Sequence, residues 1–234
     1  MMTKKPAHLW LKEEIQKIEK NPCFTETKKP SLLIHACCGP CSSYVLEYLE
    51  KTFAISLYFY NPNIYPQAEY ERRKDELLTF IEKYNNSIQV ITEKTYQASD
   101  FYEATRVKTE TDLQKEGERG ERCKRCYAFR IKKAFIYARE HGFDYITTTL
   151  SISPHKDAEK INAIGRALEE EFLESEQLED GAIAKKTENK PRFLYADFKK
   201  NKGFLRSLEL SKEFGLYRQD YCGCMYSIRD EIIE

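Results

Sequence analysis

Apolar positions along this chain switch repeatedly between two periods. Short β-rich runs at 31–35, 55–60, 88–92, 143–149 and 192–198 alternate with longer stretches in which apolar residues recur every three or four positions. Leu77, Leu78, Ile81 and Tyr84 share one helical face. Tyr127, Ile131, Ala134, Phe135 and Ala138 share a second, and Ala158, Ile161, Ile164, Leu168 and Phe172 a third. The simplest role for such stripes is contact with a core. Strands alternating with amphipathic helices predict an α/β fold built on a parallel sheet. Residues 1–30 predict a polar, helical N-terminal extension and 31–234 a single α/β domain, within which 174–191, rich in Glu, Lys and Asn, reads as a surface loop.

The 234 residues suffice to bury a core without disulfides. Lys and Arg total 38, as do Asp and Glu, so no global positive field announces a nucleic-acid partner and any such partner must use local patches. The longest nearly apolar run, 54–60, falls far short of the ~20 residues that span a bilayer. The first twenty residues carry lysines and no apolar block of the secretory kind. The expectation is a soluble, cytoplasmic protein with no membrane partner and with its thiols reduced.

Cysteine then changes the picture. Seven of the eight fall into three groups, Cys37-Cys38-x-x-Cys41, Cys123-x-x-Cys126 and Cys222-x-Cys224. Iron–sulfur clusters and structural zinc are each held by four thiolates at most, so one such site leaves three cysteines over. The first group follows the run 32–35 and precedes a helix expected to begin near Ser42 or Ser43, which places its thiols at a strand-to-helix turn, where parallel sheets bind ligands. The second group opens a helix with both sulfurs on one face. In the third, Gly223 gives the backbone freedom to bring two sulfurs together. Other readings are buried apolar thiols, a zinc-stabilised RNA-binding module, and a thiol or heterodisulfide reductase. Cys23 stands apart as a free thiol.

The turn Ala36-Cys-Cys-Gly-Pro-Cys-Ser-Ser43 occupies the place where an ATP-pyrophosphatase or adenine nucleotide hydrolase fold carries a glycine-rich phosphate loop. Thiols stand where a phosphate cradle needs glycine. The expected fold is therefore Rossmann-like, resembling that type, with its phosphate loop replaced by a cysteine metal-binding turn.

The motifs His35-Ala-Cys-Cys-Gly-Pro-Cys41, Tyr60-Asn-Pro-Asn-Ile-Tyr-Pro66 with Glu69-Tyr-Glu-Arg-Arg73, Cys123-Lys-Arg-Cys-Tyr127, Thr148-Thr-Leu-Ser-Ile-Ser-Pro-His-Lys156 and Tyr217-Arg-Gln-Asp-Tyr-Cys-Gly-Cys224 occur in that order. Over roughly 31–230 the chain resembles the epoxyqueuosine reductases of the QueH type. The resemblance implies an oxidoreductase acting in tRNA queuosine biosynthesis, which reduces epoxyqueuosine in tRNA to queuosine with a [4Fe-4S] cluster beside an additional mononuclear iron. It implies as partners a tRNA carrying epoxyqueuosine and an electron donor of unknown identity. The seven clustered cysteines become metal ligands, divided as Cys37, Cys38, Cys123 and Cys126 on the cluster and Cys41, Cys222 and Cys224 around the second iron. Tyr221, His155 and Lys156 become candidate proton donors. Tyr60, Asn61, Asn63, Arg125, Arg218 and Gln219 become candidate substrate contacts. A basic rim for RNA is expected from Arg119, Arg122, Lys124, Arg125, Arg130, Lys132 and Lys133, and from Lys199, Lys200, Lys202 and Arg206.

Overall fold

The computed structural model describes residues 5–174 and 190–228. Its centre is a five-stranded parallel sheet of β1 (Ser31–His35), β2 (Ala54–Phe59), β3 (Gln89–Thr92), β4 (Tyr145–Thr148) and β5 (Arg192–Phe193) in the order β3-β2-β1-β4-β5. Helices α1 (Ala7–Glu19), α2 (Gly39–Leu49), α3 (Gln67–Asn85), α4 (Ala98–Thr105), α5 (Glu121–Glu140), α6 (Ala158–Glu174) and α7 (Gly203–Glu213) complete the fold. Leu32, Leu33 and Ile34 of β1 are fully buried, as a strand covered on both faces requires. Alternation divides them. Leu32 and Ile34 join Leu57 and Phe59 in a core with Leu46, Leu77 and Phe80, while Leu33 joins Ile146, Ile131 and Phe135 in a second core.

The stripes on α5 and α6 lie in that second core, but Leu78 on α3 is exposed. The fifth strand is also shorter than the apolar run suggests, pairing with β4 only at Arg192 and Phe193. The segment of 1–30 contributes α1, which lays Leu11 and Ile18 in the first core; buried Glu14 accepts hydrogen bonds from Tyr145 and Arg192 at 3.2 and 2.7 Å. Most of the loop expected at 174–191 lies outside the described residues. Among the described residues no helix is long and apolar enough to cross a membrane.

The strand order fixes where a site can form. From β1 the chain runs outward through β2 and β3, then returns to place β4 on the other side of β1. In open parallel sheets such a reversal opens a crevice beyond the carboxyl ends of the strands. The Cys37 amide donates to Thr149 Oγ1 at 3.3 Å across this point, joining the turn after β1 to the turn after β4.

Candidate metal centre

Helix α2 begins at Gly39, earlier than the serines suggest. Cys38, in extended conformation, is its N-cap residue, and Pro40 sits in the first turn, where a missing N–H costs nothing. Ser42 and Ser43 are buried inside the helix, their hydroxyls donating to Cys38 O and Pro40 O at 2.8 and 3.0 Å. The early start bends Cys37, Cys38 and Cys41 together, with their sulfurs all within 4.8 Å of one another. Cys37 and Cys38 are separated by 3.8 Å.

The remaining four clustered thiols meet elsewhere. Cys123 and Cys126 in the first turns of α5, with Cys222 and Cys224, line a small cavity that also receives Asn63, Phe101, Glu118, Arg122, Tyr127, Arg130 and Lys156. Helix α5 begins after Gly120, and Glu116 accepts from the Arg122 amide at 2.9 Å. The C-terminal pair is held by Arg73, which is 1% exposed, bridged to Glu69 at 2.6 Å, and a donor to the carbonyls of Cys222 and Tyr221 at 3.4 and 3.5 Å. Gly223 adopts φ +119°, and its carbonyl accepts from the Tyr65 amide at 2.8 Å. The sulfurs of Cys37, Cys38 and Cys41 thus lie together, while Cys222 and Cys224 line the same cavity as Cys123 and Cys126.

Each group holds one thiol that ionises readily. Hydrogen bonding from Cys38 and Cys41 keeps Cys37 well below the usual thiol range, while the same contact pushes Cys38 up to about 12. Donation from Cys224, aided by the nearby Lys156 charge, lowers Cys222; burial raises Cys126 to about 11. Lys156 links the groups. Burial disfavours its charge, but the negative fields of Cys37, Cys41 and Cys222 prevail and raise its pKa.

The other candidate residues divide by environment. Gln219 donates to Cys38 Sγ at 3.1 Å, and its buried Oε1 has no partner among the described residues. The same holds for Oδ1 of Asn63, which is 3% exposed and faces the cavity group. Asn61 is otherwise engaged, donating to Ala36 O at 2.9 Å and accepting from Arg130. The Tyr60 ring lies in the apolar cluster with Cys37, Cys38 and Cys123, its hydroxyl donating to Asp100 at 2.7 Å. The Tyr221 hydroxyl donates to Tyr65 O. His155 is exposed, 4.0 Å from Glu118. Arg125 is tied to Glu110 and Glu121 at 2.9 and 3.2 Å, and Arg218 to Ser211 at 3.0 Å on α7.

The expected basic rim needs correction. Arg122 and Arg130 are 1% and 3% exposed, too deep to meet a phosphate backbone. Lys124, Lys132, Lys199 and Arg206 are already paired with Glu121, Glu171, Asp197 and Glu47. Arg119 donates to the Pro154 and His155 carbonyls, which secures the turn carrying Lys156. Arg73 stands in the Glu69-Tyr-Glu-Arg-Arg73 motif without an individual role there, whereas nothing local signals Ser227, whose hydroxyl lies 3.0 Å from Cys222 Sγ.

Comparison with known proteins identifies the family. The family model for epoxyqueuosine reductase QueH matches residues 32–230. The epoxyqueuosine reductase QueH of Streptococcus pyogenes serotype M1 is 36% identical over 213 residues, covering 89% of this chain and 74% of the relative. That of Haemophilus influenzae is 35% identical over 240 residues, covering 98% and 87%, and that of Thermotoga maritima 32% over 201 residues, covering 85% and 90%. With a family model spanning most of the chain and relatives above thirty per cent identity matched over most of their length, this protein belongs to the QueH family of epoxyqueuosine reductases and is an oxidoreductase.

Proposed function

We propose that the protein reduces epoxyqueuosine within tRNA to queuosine, using an iron–sulfur cluster and an additional iron held by its seven clustered thiols. The observation that carries this reading is the meeting of two thiol groups beside Lys156, at the crevice of the sheet, in a chain whose named relatives are epoxyqueuosine reductases. The donor sets fit the two centres. Sulfurs about 2.3 Å from one tetrahedral ion lie about 3.8 Å apart, and Cys37 and Cys38 have that separation. Four thiols around a single cavity match the thiolate set of a four-iron cluster. We therefore assign Cys37, Cys38 and Cys41 to the lone iron and Cys123, Cys126, Cys222 and Cys224 to the cluster.

Converting an epoxide to an alkene breaks two C–O bonds, consumes two electrons and two protons, and releases the oxygen as water. When bound, the metals supply single electrons and a Lewis acid, chemistry that no side chain offers. The chain supplies the rest. Lys156, protonated at Nζ and placed near both thiol groups, delivers a proton to the opening oxygen. Tyr221 and His155, nearer the surface, are candidate sources of the second. Asn63 Oδ1 and Gln219 Oε1, buried acceptors without partners, are suited to hold substrate hydroxyl or N–H groups. Phe101 and Tyr127 contribute aromatic surface to the cavity wall. The modified base must leave its stack to enter.

The test is anaerobic reconstitution with iron and sulfide, then single turnover of tRNA carrying epoxyqueuosine with a low-potential chemical reductant. Mass analysis of the digested nucleosides should show loss of one oxygen atom. Cluster-loaded protein that leaves the epoxide intact, or a preparation holding only zinc, would overturn the reading.

A further inference from the structure

Arg122 and Arg130 both line the cavity among Cys123, Cys126, Cys222 and Cys224, and neither meets a carboxylate through its guanidinium among the described residues. Arg122 Nη1 donates to the carbonyls of Leu113 and Gln114 at 2.5 and 3.2 Å, leaving Nε and Nη2 without partners. Arg130 Nη2 donates to Asn61, Nη1 lies 3.9 Å from Cys126 Sγ, and Nε has no partner. A buried charge without a counter-charge costs several kcal/mol, and this structure buries two on α5 around one cavity, with only the Tyr226 ring, 5.4 Å from the Arg122 guanidinium, as a further partner among the described residues. Among the described residues lining the cavity, the acceptors include its four sulfurs, Asn63 Oδ1 and the Glu118 carboxylate.

We propose that Arg122 and Arg130 are the counter-charges of the cluster, donate N–H to its sulfurs, and thereby set its reduction potential. The proposal rests on the cluster assignment above. Four thiolates around the cluster core leave a negative site, and reduction adds one electron from an external donor without a proton. Fixed positive charge beside the site favours the reduced form, and N–H donation to sulfur withdraws electron density from it. Both effects raise the potential and bring the cluster within reach of a weaker donor. Glu118, on the same cavity, opposes them, but it is partly exposed and faces His155. The two arginines are positioning residues: they act on the substrate only through the cluster.

The experiment is a redox titration, followed by visible absorbance and electron paramagnetic resonance, of reconstituted wild-type protein and of Arg122→Met, Arg130→Met, Arg122→Lys and Arg130→Lys. Iron and sulfide per chain report loading. Each methionine variant should shift the one-electron reduction equilibrium at least tenfold toward the oxidised form, a fall of about 59 mV. The lysine variants, which keep charge but lose the planar fork, should fall less, and they decide the matter if a methionine variant does not fold. Arg206→Met, on α7 and paired with Glu47, is the control and should not shift. Fully loaded variants with the wild-type potential would overturn this proposal alone. Wild-type protein that takes up iron but no sulfide would overturn the cluster assignment, and this proposal with it.

Discussion

Asn61 and Asn63 stand two positions apart in one turn, yet their environments give them opposite roles. Asn61 spends both ends of its amide inside the protein, clipping the Ala36 carbonyl and the Arg130 guanidinium. Asn61→Ala strands both partners, and a hydrogen bond to a charged group contributes about 1.5–3 kcal/mol. A loss of that size is expected in urea unfolding of the metal-free protein. Asn63 has a buried acceptor without a partner, so Asn63→Ala should leave the urea midpoint nearly unchanged while raising the KM for epoxyqueuosine tRNA. The opposite assignment, with Asn61 controlling KM, would show that the turn rearranges around substrate. Gly223 is a third sensitive residue. Its φ of +119° excludes most side chains, and an added Cβ would lie 3.0 Å from Ile64 and 3.1 Å from Arg73. Gly223→Ala is expected to cost about 1–3 kcal/mol of backbone strain and to lower iron and sulfide uptake, because the strain falls between two of the proposed ligands.

At the scale of elements, helix starts decide the chemistry. Beginning α2 at Gly39 turns a linear Cys-Cys-x-x-Cys string into a compact group of three sulfurs. Beginning α5 just before Cys123 points two more into the cavity. Packing between α6 and β5 supplies a sharp test of geometry against propensity. A Cβ on Gly165 would fall 2.3–2.5 Å from ring atoms of Phe193, which is 1% exposed and has little room to move. Gly165→Ala gains about 1 kcal/mol of helix propensity but overpacks a rigid contact, which costs typically 1–3 kcal/mol. Net destabilisation is expected, seen as a lower Tm; a higher Tm would mean that α6 can lift from the sheet without loss.

For the molecule as a whole, the proposed metal centres couple binding to the stability of the fold. On the proposed assignment metals would bind the seven thiols of the native state, and ligands that bind the native state alone raise its stability. Anaerobic reconstitution should therefore raise the Tm, and chelation should lower it. The assignment of thiols predicts distinct losses. Cys41→Ser should reduce iron with sulfide retained, whereas Cys126→Ser should reduce both; equal loss in the two variants would return Cys41 to the cluster.

The sequence by itself determined the alternation of strands and helices, because strands buried on both faces must be apolar and helices covering them must be striped. It also marked the three cysteine groups, since ligand spacing within one turn is a local property, and the ordered motifs marked the family. It did not determine where the fifth strand stops, where α2 starts, or which charges are buried. Arg122 and Arg130 read as members of an RNA-facing basic rim because they neighbour other basic residues in the chain. Their burial follows from the packing of α4, the turn at Thr111–Gln114 and the C-terminal Cys222–Cys224 segment around the start of α5. The same holds for the grouping of Cys41 and for Arg73's hold on a segment nearly 150 positions away. Those contacts join residues distant in sequence, so no local pattern encodes them; the strand order that brings the turns after β1 and β4 together decides them.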